Sequence, residues 1–237
     1  MSEWKTKRFW KKATAVSQEG GFGVHLDGRA VKTPARQPLV VPVRALADEI
    51  AAEWDAQDGM IDPLTMPFTR SANAAIDKVI PQHAEVAEMI SAYGDTDLLC
   101  YRADTPVELV ARQDAAWTPL LDWARDSQGI DLAHFSGVIY QPQSAGALAR
   151  IATLTAAMDA FELTAFHDLV SLSGSYILGL AATRRLHPAE TLWDLSRIDE
   201  AWQQDQWGID DEAAAAAAVK RSAFLHAARF HEIVAKS

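Results

Sequence analysis

FGVHLDGRAVKT, residues 22–33, decides the fold class, because it predicts a β-hairpin near the start of a chain that is otherwise largely helical in pattern. Apolar and polar residues alternate on both sides of Asp27-Gly28, and this pair readily adopts the positive φ angles of a two-residue turn. The motif QPLVVP, residues 37–42, predicts a further short strand. We therefore expect residues 8–42 to form β structure.

The sequence changes to a helical period directly after these strands. Val43, Leu46, Ile50 and Trp54 recur at spacings of three and four, which predicts one apolar helix face. The same period dominates the second half of the chain. It predicts helices over residues 104–127, 144–159, 162–183, 188–206 and 209–235.

Two local signals shape the start of this helical part. Asp104-Thr105-Pro106 predicts a helix cap followed by proline in the first turn, and Pro119 is predicted to kink or split the helix that follows. The run HFSGVIYQPQSAG, residues 134–146, predicts a short extended interruption. The expected fold is α+β, with a small β-rich N-terminal domain (residues 1–80, with one or two helices) and a larger all-helical C-terminal bundle (residues 81–237).

The charge of the chain is unevenly distributed. The formal net charge is −10, yet residues 1–45 carry nine Lys or Arg against three acids. Phosphates would be repelled by the acidic remainder, so nucleic acid is not an expected partner. The basic arm is more typical of a solvated, lysine-bearing strand edge than of a contact with an acidic protein, and both readings remain open.

Composition also limits where the chain is expected to act. No apolar run approaches the roughly 18–20 residues that cross a bilayer, so no membrane association is predicted. Cys100 is the single cysteine and has no partner for an internal disulfide, which favours a reducing compartment. No signal peptide or presequence is recognised at the N-terminus.

The usual catalytic and metal motifs are missing from the sequence. There is no Gly-rich phosphate loop and no dinucleotide fingerprint, so no cofactor is predicted. Ser173 lacks the G-x-S-x-G context and is better interpreted as a small residue that allows close helix packing. His226 and His231 are five residues apart and so point to different helix faces, unlike a zinc-binding pair. We predict neither catalytic nor metal-binding residues.

The run LWDLSRIDEAWQQDQWG, residues 192–208, is the strongest candidate for a functional surface. Leu195, Ile198 and Trp202 form an apolar stripe on a helix, and core packing is the favoured interpretation of Trp202. A polar face runs beside this stripe, with Asp199, Gln203 and Gln206 at spacings of four and three.

The carboxylates of this helix are poorly placed for catalysis. Asp199 and Glu200 are adjacent, so they point about 100° apart and do not share a proton. Arg197 lies three residues before Glu200 and is expected to pair with it. The helix therefore predicts a partner-binding surface, while a hydrolase that uses the acidic residues of the 193–208 helix stays open as the alternative.

Four stretches resemble one known family, in the same order along the chain. LSRIDEAWQQDQWG, residues 195–208, resembles the L-S-R-[LI]-[ED]-E-x-[YFW]-Q-x-x-x-W-G signature of the chaperones that assemble the α subunit into the F1 sector of ATP synthase. The other three are KRFWKKATAV…FGVHLDGRAVKTPAR (7–36), AAEWDAQDGMIDPLTMPFTRSANAAID (51–77) and TDLLCYRAD…LVARQDAAWTPLLDWA (96–124).

This resemblance implies a molecular chaperone rather than an enzyme. It implies that the partner is the free α subunit, which the chaperone keeps from aggregating until the β subunit displaces it. ATP would then be a ligand of the client only. The expected site is bacterial cytoplasm, or the mitochondrial matrix for a mature eukaryotic form, and the chain is expected to act as a monomer.

The resemblance also nominates residues for partner binding. They are Asp199, Glu200, Gln203, Arg197 and Trp207 of the signature, with Trp54 and Asp55 of the middle motif. Relatives often have Glu where this chain has Asp199, so the shorter side chain is expected to rearrange any contact made there. Trp54 and Trp202 also complete apolar stripes, and support of the fold is the alternative role for both.

Overall fold

The computed structural model describes residues 7–235, which divide into two compact units. Within that range the first unit contains residues 7–82, 159–164 and 229–235, and the second contains residues 83–158 and 165–228. The predicted domain division between residues 80 and 81 stays a prediction, because compactness alone does not establish an independently folding domain.

An antiparallel sheet forms the start of the first unit. β2 lies between β1 on one side and β3 and β4 on the other. Asp27 and Gly28 have φ angles of 48° and 84°, so the two-residue turn predicted from the sequence is confirmed. The strands are β1 (Ala13–Gln18), β2 (Gly21–Leu26), β3 (Arg29–Ala30) and β4 (Val40–Val41).

Helix α1 (Arg44–Asp55) packs on β1 and β2 through the predicted apolar face. Leu46 and Ile50 are fully buried, whereas Trp54 at the end of the stripe is only half-buried. The ring of Trp54 meets that of Trp10 edge-to-face at 5.2 Å. The apolar period therefore identifies the helix correctly and leaves its last member at the rim of the core.

Part of the predicted basic arm is built into this unit. Arg8 donates through Nη1 to the carbonyl oxygens of Asp55 and Gln57, both at 2.6 Å. A guanidinium that donates hydrogen bonds to several carbonyl oxygens stabilises the fold and is not a free positive charge. β1 itself carries no lysine, but Lys7 and Lys32 are exposed and form isolated β-bridges, so the lysine-bearing strand edge stays a prediction. Lys5 lies outside the described residues.

Glu53 anchors the next helix, α2 (Pro67–Ala74), by its N-terminus. Its Oε1 accepts from the Phe68 backbone N at 2.6 Å, and its Oε2 accepts from the backbone N and the hydroxyl of Thr69, both at 2.7 Å. Burial raises the pKa of Glu53 above its ordinary value, although these hydrogen bonds act to lower it. The carboxylate therefore satisfies helix donors that would otherwise have no partner.

Replacement of Glu53 with alanine is expected to lower the free energy of unfolding by about 1–2 kcal/mol, because the helix N-terminus loses its cap. Urea denaturation of both proteins at neutral pH measures the change. Asp58→Ala is the matched control, since it removes an exposed carboxylate from the same segment. An equal, small effect for both variants would contradict the capping role of Glu53.

The second unit is mainly helical, and several predicted helices are shorter in the structure. The predicted helix 162–183 is two helices, because Gly174 adopts a φ of 72° between them. The predicted helix 188–206 is likewise broken at Ser196 and Arg197. The helices from α3 onward, of which α6 and α10 extend into the first unit, are α3 (His83–Ser91), α4 (Val107–Trp123), α5 (Ala145–Ala156), α6 (Ala160–Ser173), α7 (Tyr176–Thr183), α8 (Ala189–Leu195), α9 (Ile198–Trp207) and α10 (Asp211–Val234).

Helix α4 corrects two predictions. It runs without a break through Pro119, so the predicted split is wrong, while a kink there stays a prediction. Proline removes a single N–H from a stretch held by the buried side chains of Trp117, Leu120 and Leu121. The predicted side-chain cap at Asp104-Thr105 is also wrong. The residue before the first turn is Pro106, in an extended conformation and without a side-chain cap.

A small parallel pair of strands, β5 (Tyr101–Arg102) and β6 (Phe135–Ser136), lies within the second unit. The sequence predicts the extended piece around residue 135 but not its pairing. With a small N-terminal sheet followed by a mainly helical region, the predicted α+β fold class is confirmed. No helix within residues 7–235 is long and apolar enough to cross a membrane.

Asp97 is a fully buried carboxylate of the second unit. Its oxygens accept from the backbone N of Leu99 at 2.9 Å and from that of Ile177, at the start of α7, at 2.9 Å. Burial raises the pKa of Asp97 to about 6, against the hydrogen bonds that favour its charged form. The Asp97 side chain thus links two segments that are 80 residues apart in the sequence.

Candidate partner-binding surface

Helix α9, which contains most of the candidate residues, is fixed to helix α4 by side-chain hydrogen bonds. Trp117 donates from Nε1 to the carbonyl oxygen of Leu195 at 2.8 Å, and Gln113 donates from Nε2 to Oδ1 of Asp199 at 2.6 Å. Arg112 reaches Oδ2 of Asp205 at 3.0 Å. Positions rise along α9 as they fall along α4, so the two helices run antiparallel.

Two of the four stretches that carry the family resemblance therefore contact each other. The run around Arg112-Gln113-Asp114 and Trp117 supplies three of the partners for residues 195–205. The sequence alone does not reveal this pairing, since the two motifs are 86 residues apart at Gln113 and Asp199. The spacing of Gln113 and Trp117, one helical turn apart on one face, is the only local signal that points to it.

Gln113 is the buried centre of this contact. It is 1% exposed, and its Oε1 accepts from the backbone N of Ala103 at 2.7 Å. Arg102, buried beside it, donates to the Leu99 carbonyl oxygen at 2.9 Å and lies 5.2 Å from the ring centre of Trp117. Asp199 is half-buried and is bound by a buried amide, so it is not a free surface carboxylate.

The adjacent carboxylates Asp199 and Glu200 have separate partners. Glu200 Oε1 lies 2.7 Å from Nη1 of Arg197, which confirms the pairing expected from their spacing. Arg197 also lies 5.7 Å from the ring centre of Trp193, which is buried. Because Asp199 is bound by Gln113 and Glu200 by Arg197, the arrangement does not favour the hydrolase alternative.

The C-terminal end of α9 is the open part of the surface. Gln203 is exposed, the Trp207 side chain is 80% exposed and Ile209 is 71% exposed. Trp202 is half-buried, and its role in core packing stays a prediction. The break at Ser196 and Arg197 places Leu195 outside the helix that carries Ile198 and Trp202, so the predicted apolar stripe does not lie on one continuous helix.

The remaining candidates, Trp54 and Asp55, lie in the first unit. Asp55 accepts from the backbone N of Ala13 through Oδ1 at 2.7 Å and lies 3.7 Å from Nη2 of Arg8. The indole N–H of Trp54 is buried and has no hydrogen-bond partner. Both residues thus have contacts that support the local fold, while Asp55 keeps 41% of its side chain exposed.

Within residues 7–235, no group of three or more His, Cys, Asp or Glu side chains is arranged to hold a metal ion. Cys100 is buried, and burial raises the pKa of its thiol well above the ordinary value. Ser173 is buried in α6 and donates to the Leu169 carbonyl oxygen at 2.7 Å. The side chains of Cys100 and Ser173 therefore have structural roles in packing.

Comparison with known proteins identifies the family. The sequence model described as ATP12 chaperone protein matches residues 7–125, half of the chain. The chain belongs to the ATP12 chaperone family. The resemblance inferred from the four motifs is thereby confirmed.

Relatives in this family cover nearly the whole chain. The structure of Atp12 from Paracoccus denitrificans is 48% identical, covers 98% of this chain and 100% of its own, and superposes with a TM-score of 0.95. The Atu1473 protein from Agrobacterium tumefaciens is 41% identical over 96% of this chain and 85% of its own, with a TM-score of 0.91. Mitochondrial atp12 from Schizosaccharomyces pombe is 28% identical over 87% of this chain and 75% of its own.

A pair of double-mutant cycles is expected to separate anchoring from surface contacts in this ATP12 chain. The Gln113→Ala and Asp199→Ala changes should show a coupling energy of about 1–2 kcal/mol, because Gln113 is buried. The Arg112→Ala and Asp205→Ala changes, on an exposed pair, should couple by less than about 1 kcal/mol. Urea denaturation measures both cycles. Equal coupling in the two cycles would contradict the anchoring role of Asp199.

Proposed function

We propose that the chain is an assembly chaperone of ATP synthase that binds the free α subunit of the F1 sector. It keeps this subunit from aggregating until the β subunit displaces the chaperone. Membership of the ATP12 family and the signature at residues 195–208 support this function. The observation that carries it is the exposure of Trp207 and Ile209 at one end of a helix that is otherwise held in place.

The geometry of α9 supports a division of roles among the nominated residues. Gln203 and Trp207 are exposed and are proposed to contact the client, with Glu200 at the edge of the same surface. Asp199 and Arg197 are proposed to position the helix through Gln113 and Glu200. A large exposed aromatic side chain beside amides is typical of the residues that dominate protein interfaces.

The residues of the middle motif have a place in the same proposal. Trp54 supports the fold through its ring contact with Trp10. Asp55 accepts a hydrogen bond within the fold, while part of its side chain stays exposed.

We propose that the chain acts as a monomer, without a cofactor of its own and without catalytic turnover. Its expected place of action is bacterial cytoplasm, or the mitochondrial matrix in a eukaryotic cell.

Aggregation of the isolated α subunit, followed by light scattering, tests this function. An equimolar amount of the chaperone should suppress scattering, and later addition of the β subunit should release the chaperone into the unbound fraction on gel filtration. Serum albumin at the same concentration is the control for nonspecific protection. Scattering as strong as in the albumin control would overturn the proposal.

A further inference from the structure

Strand β1 has an outer edge that no other described strand covers. It pairs with β2 along its full length, from Ala13 opposite Leu26 to Gln18 opposite Gly21, and no strand within residues 7–235 pairs with its other side. The backbone N of Ala13 points to that side, because it donates to Asp55 and not to β2. Since directions alternate along a strand, Ala15 and Ser17 present their N–H and C=O groups there too.

Beyond Ala13, whose backbone N–H is bound by the Asp55 carboxylate, this edge lacks the features that usually prevent strand addition. Proteins protect exposed edges with charged side chains, proline or bulges. The sequence of β1, ATAVSQ, contains no charge and no proline, and its pairing with β2 is continuous, without a bulge. An extended segment of another chain therefore meets free backbone donors and acceptors.

A groove of about 360 Å³ runs between this edge and helix α1. Its apolar lining is alanine, from Ala13 and Ala15 on the strand and from Ala51 and Ala52 on the helix. Side chains this small leave room for a further strand and for the side chains that such a strand would direct toward α1. The groove and the free edge are adjacent, and both belong to the first unit.

The charged residues that line the groove, Arg44, Asp48 and Asp55, each have an ion-pair partner, which for Asp55 is Arg8 outside the lining. Arg44 Nε lies 3.1 Å from Oδ1 of Asp48, and Arg8 Nη2 lies 3.7 Å from Oδ1 of Asp55. Charges that are already paired attract a charged segment less strongly than unpaired charges do. The electrostatic complement of the groove is an uncharged peptide.

We propose that the outer edge of β1 and the alanine groove bind an extended, uncharged segment of the client as an added strand. The inference rests on the proposed function, since the client is the unassembled α subunit. A strand is the fitting occupant, because an added strand uses unpaired edge groups and a helix satisfies its own backbone. Small uncharged side chains are expected at the positions that face Ala51 and Ala52.

Hydrogen exchange of the full-length chaperone, alone and with purified α subunit, tests the edge directly. The amides of Ala15 and Ser17 should exchange at least tenfold more slowly in the complex. The amides of Thr14 and Val16 already face β2 and should change little. Unchanged exchange at Ala15 and Ser17 in a complex that does form would overturn the inference.

Two variants with matched controls test the same surface by affinity. Ala15→Pro removes an edge N–H that β2 does not use, and proline is tolerated at such edge positions; Ala15→Ser keeps the N–H. Ala52→Phe fills the groove, whereas Ala45→Phe adds the same ring at an exposed position of α1 outside it. The first member of each pair should weaken binding of the α subunit at least tenfold, and each control should stay within about twofold of the parent.

The outcomes separate this inference from the proposed function. If the α subunit binds all four variants as it binds the parent, the strand-addition site is wrong and the chaperone function stands. If the α subunit does not bind the parent, both are wrong. Protection of Ala15 and Ser17 in the chaperone alone, rising with its concentration, would assign the edge to a second copy and overturn the inference.

Discussion

Replacement of Asp97 with alanine is expected to lower the free energy of unfolding by about 3–5 kcal/mol, the largest effect of any single change proposed for this chain. The carboxylate is fully buried and accepts from the backbone N of Leu99 and of Ile177. Without it, both buried donors lose their partner, and the start of α7 loses its tie to residues 97–99. Urea denaturation near pH 4, where the folded state keeps Asp97 protonated, measures the full loss.

Asp95→Ala is the matched control, because Asp95 lies two residues away and binds residues of the loop before α5 rather than the start of a helix. It accepts from the backbone N of Gln143 at 2.8 Å and from the hydroxyl of Tyr140. The expected loss there is below about 1.5 kcal/mol. Equal losses for the two variants would contradict the central role of Asp97.

The raised pKa of Asp97 also predicts a pH dependence. The native pKa is about 6, against 3.8 for the unperturbed group, so the folded state keeps its proton where the unfolded state has released it. The contribution of Asp97 to the free energy of unfolding should therefore fall by up to about 3 kcal/mol as pH rises from about 4 to about 6. The difference between the parent and Asp97→Asn, measured by urea denaturation across this range, isolates that contribution. A difference independent of pH would contradict it.

Replacement of Trp207 with alanine is expected to weaken binding of the α subunit at least about thirtyfold, which corresponds to about 2 kcal/mol. Trp207 is a large aromatic side chain with 80% of its surface exposed, and truncation should leave the fold intact. Isothermal titration calorimetry measures the affinity, and thermal unfolding checks the fold.

Val219→Ala is the control for Trp207→Ala. It also truncates an exposed apolar side chain of the second unit, 71% exposed on α10, and Val219 is not among the residues proposed to contact the client. Its affinity for the α subunit should stay within about twofold of the parent. Normal binding by Trp207→Ala would remove the end of α9 from the client contact.

Local sequence signals predict the parts of the fold that depend on neighbouring residues. The hairpin follows from Asp27-Gly28, which supplies two residues with positive φ, and α1 follows from the spacing of Leu46 and Ile50. These features need only a turn and an apolar face. The family resemblance adds the order of the two parts of the fold, a β-containing N-terminal part followed by a helical C-terminal part.

Long-range contacts are the parts that local patterns do not predict. The role of Asp199 depends on Gln113, 86 residues away, and β5 pairs with a strand 34 residues further along. The breaks at Gly174 and at Ser196-Arg197 were missed because the apolar period continues across them. The local sequence pattern does not distinguish an exposed carboxylate from one that is bound by a buried amide.

The most direct test of the central claim is the affinity of the chaperone for the free α subunit, compared with its affinity for the α subunit already assembled with the β subunit. We expect a Kd below about 1 µM for the free subunit and no measurable binding to the assembled form, because the β subunit should displace the chaperone. Failure to bind the free α subunit, or equal affinity for both forms, would contradict the account.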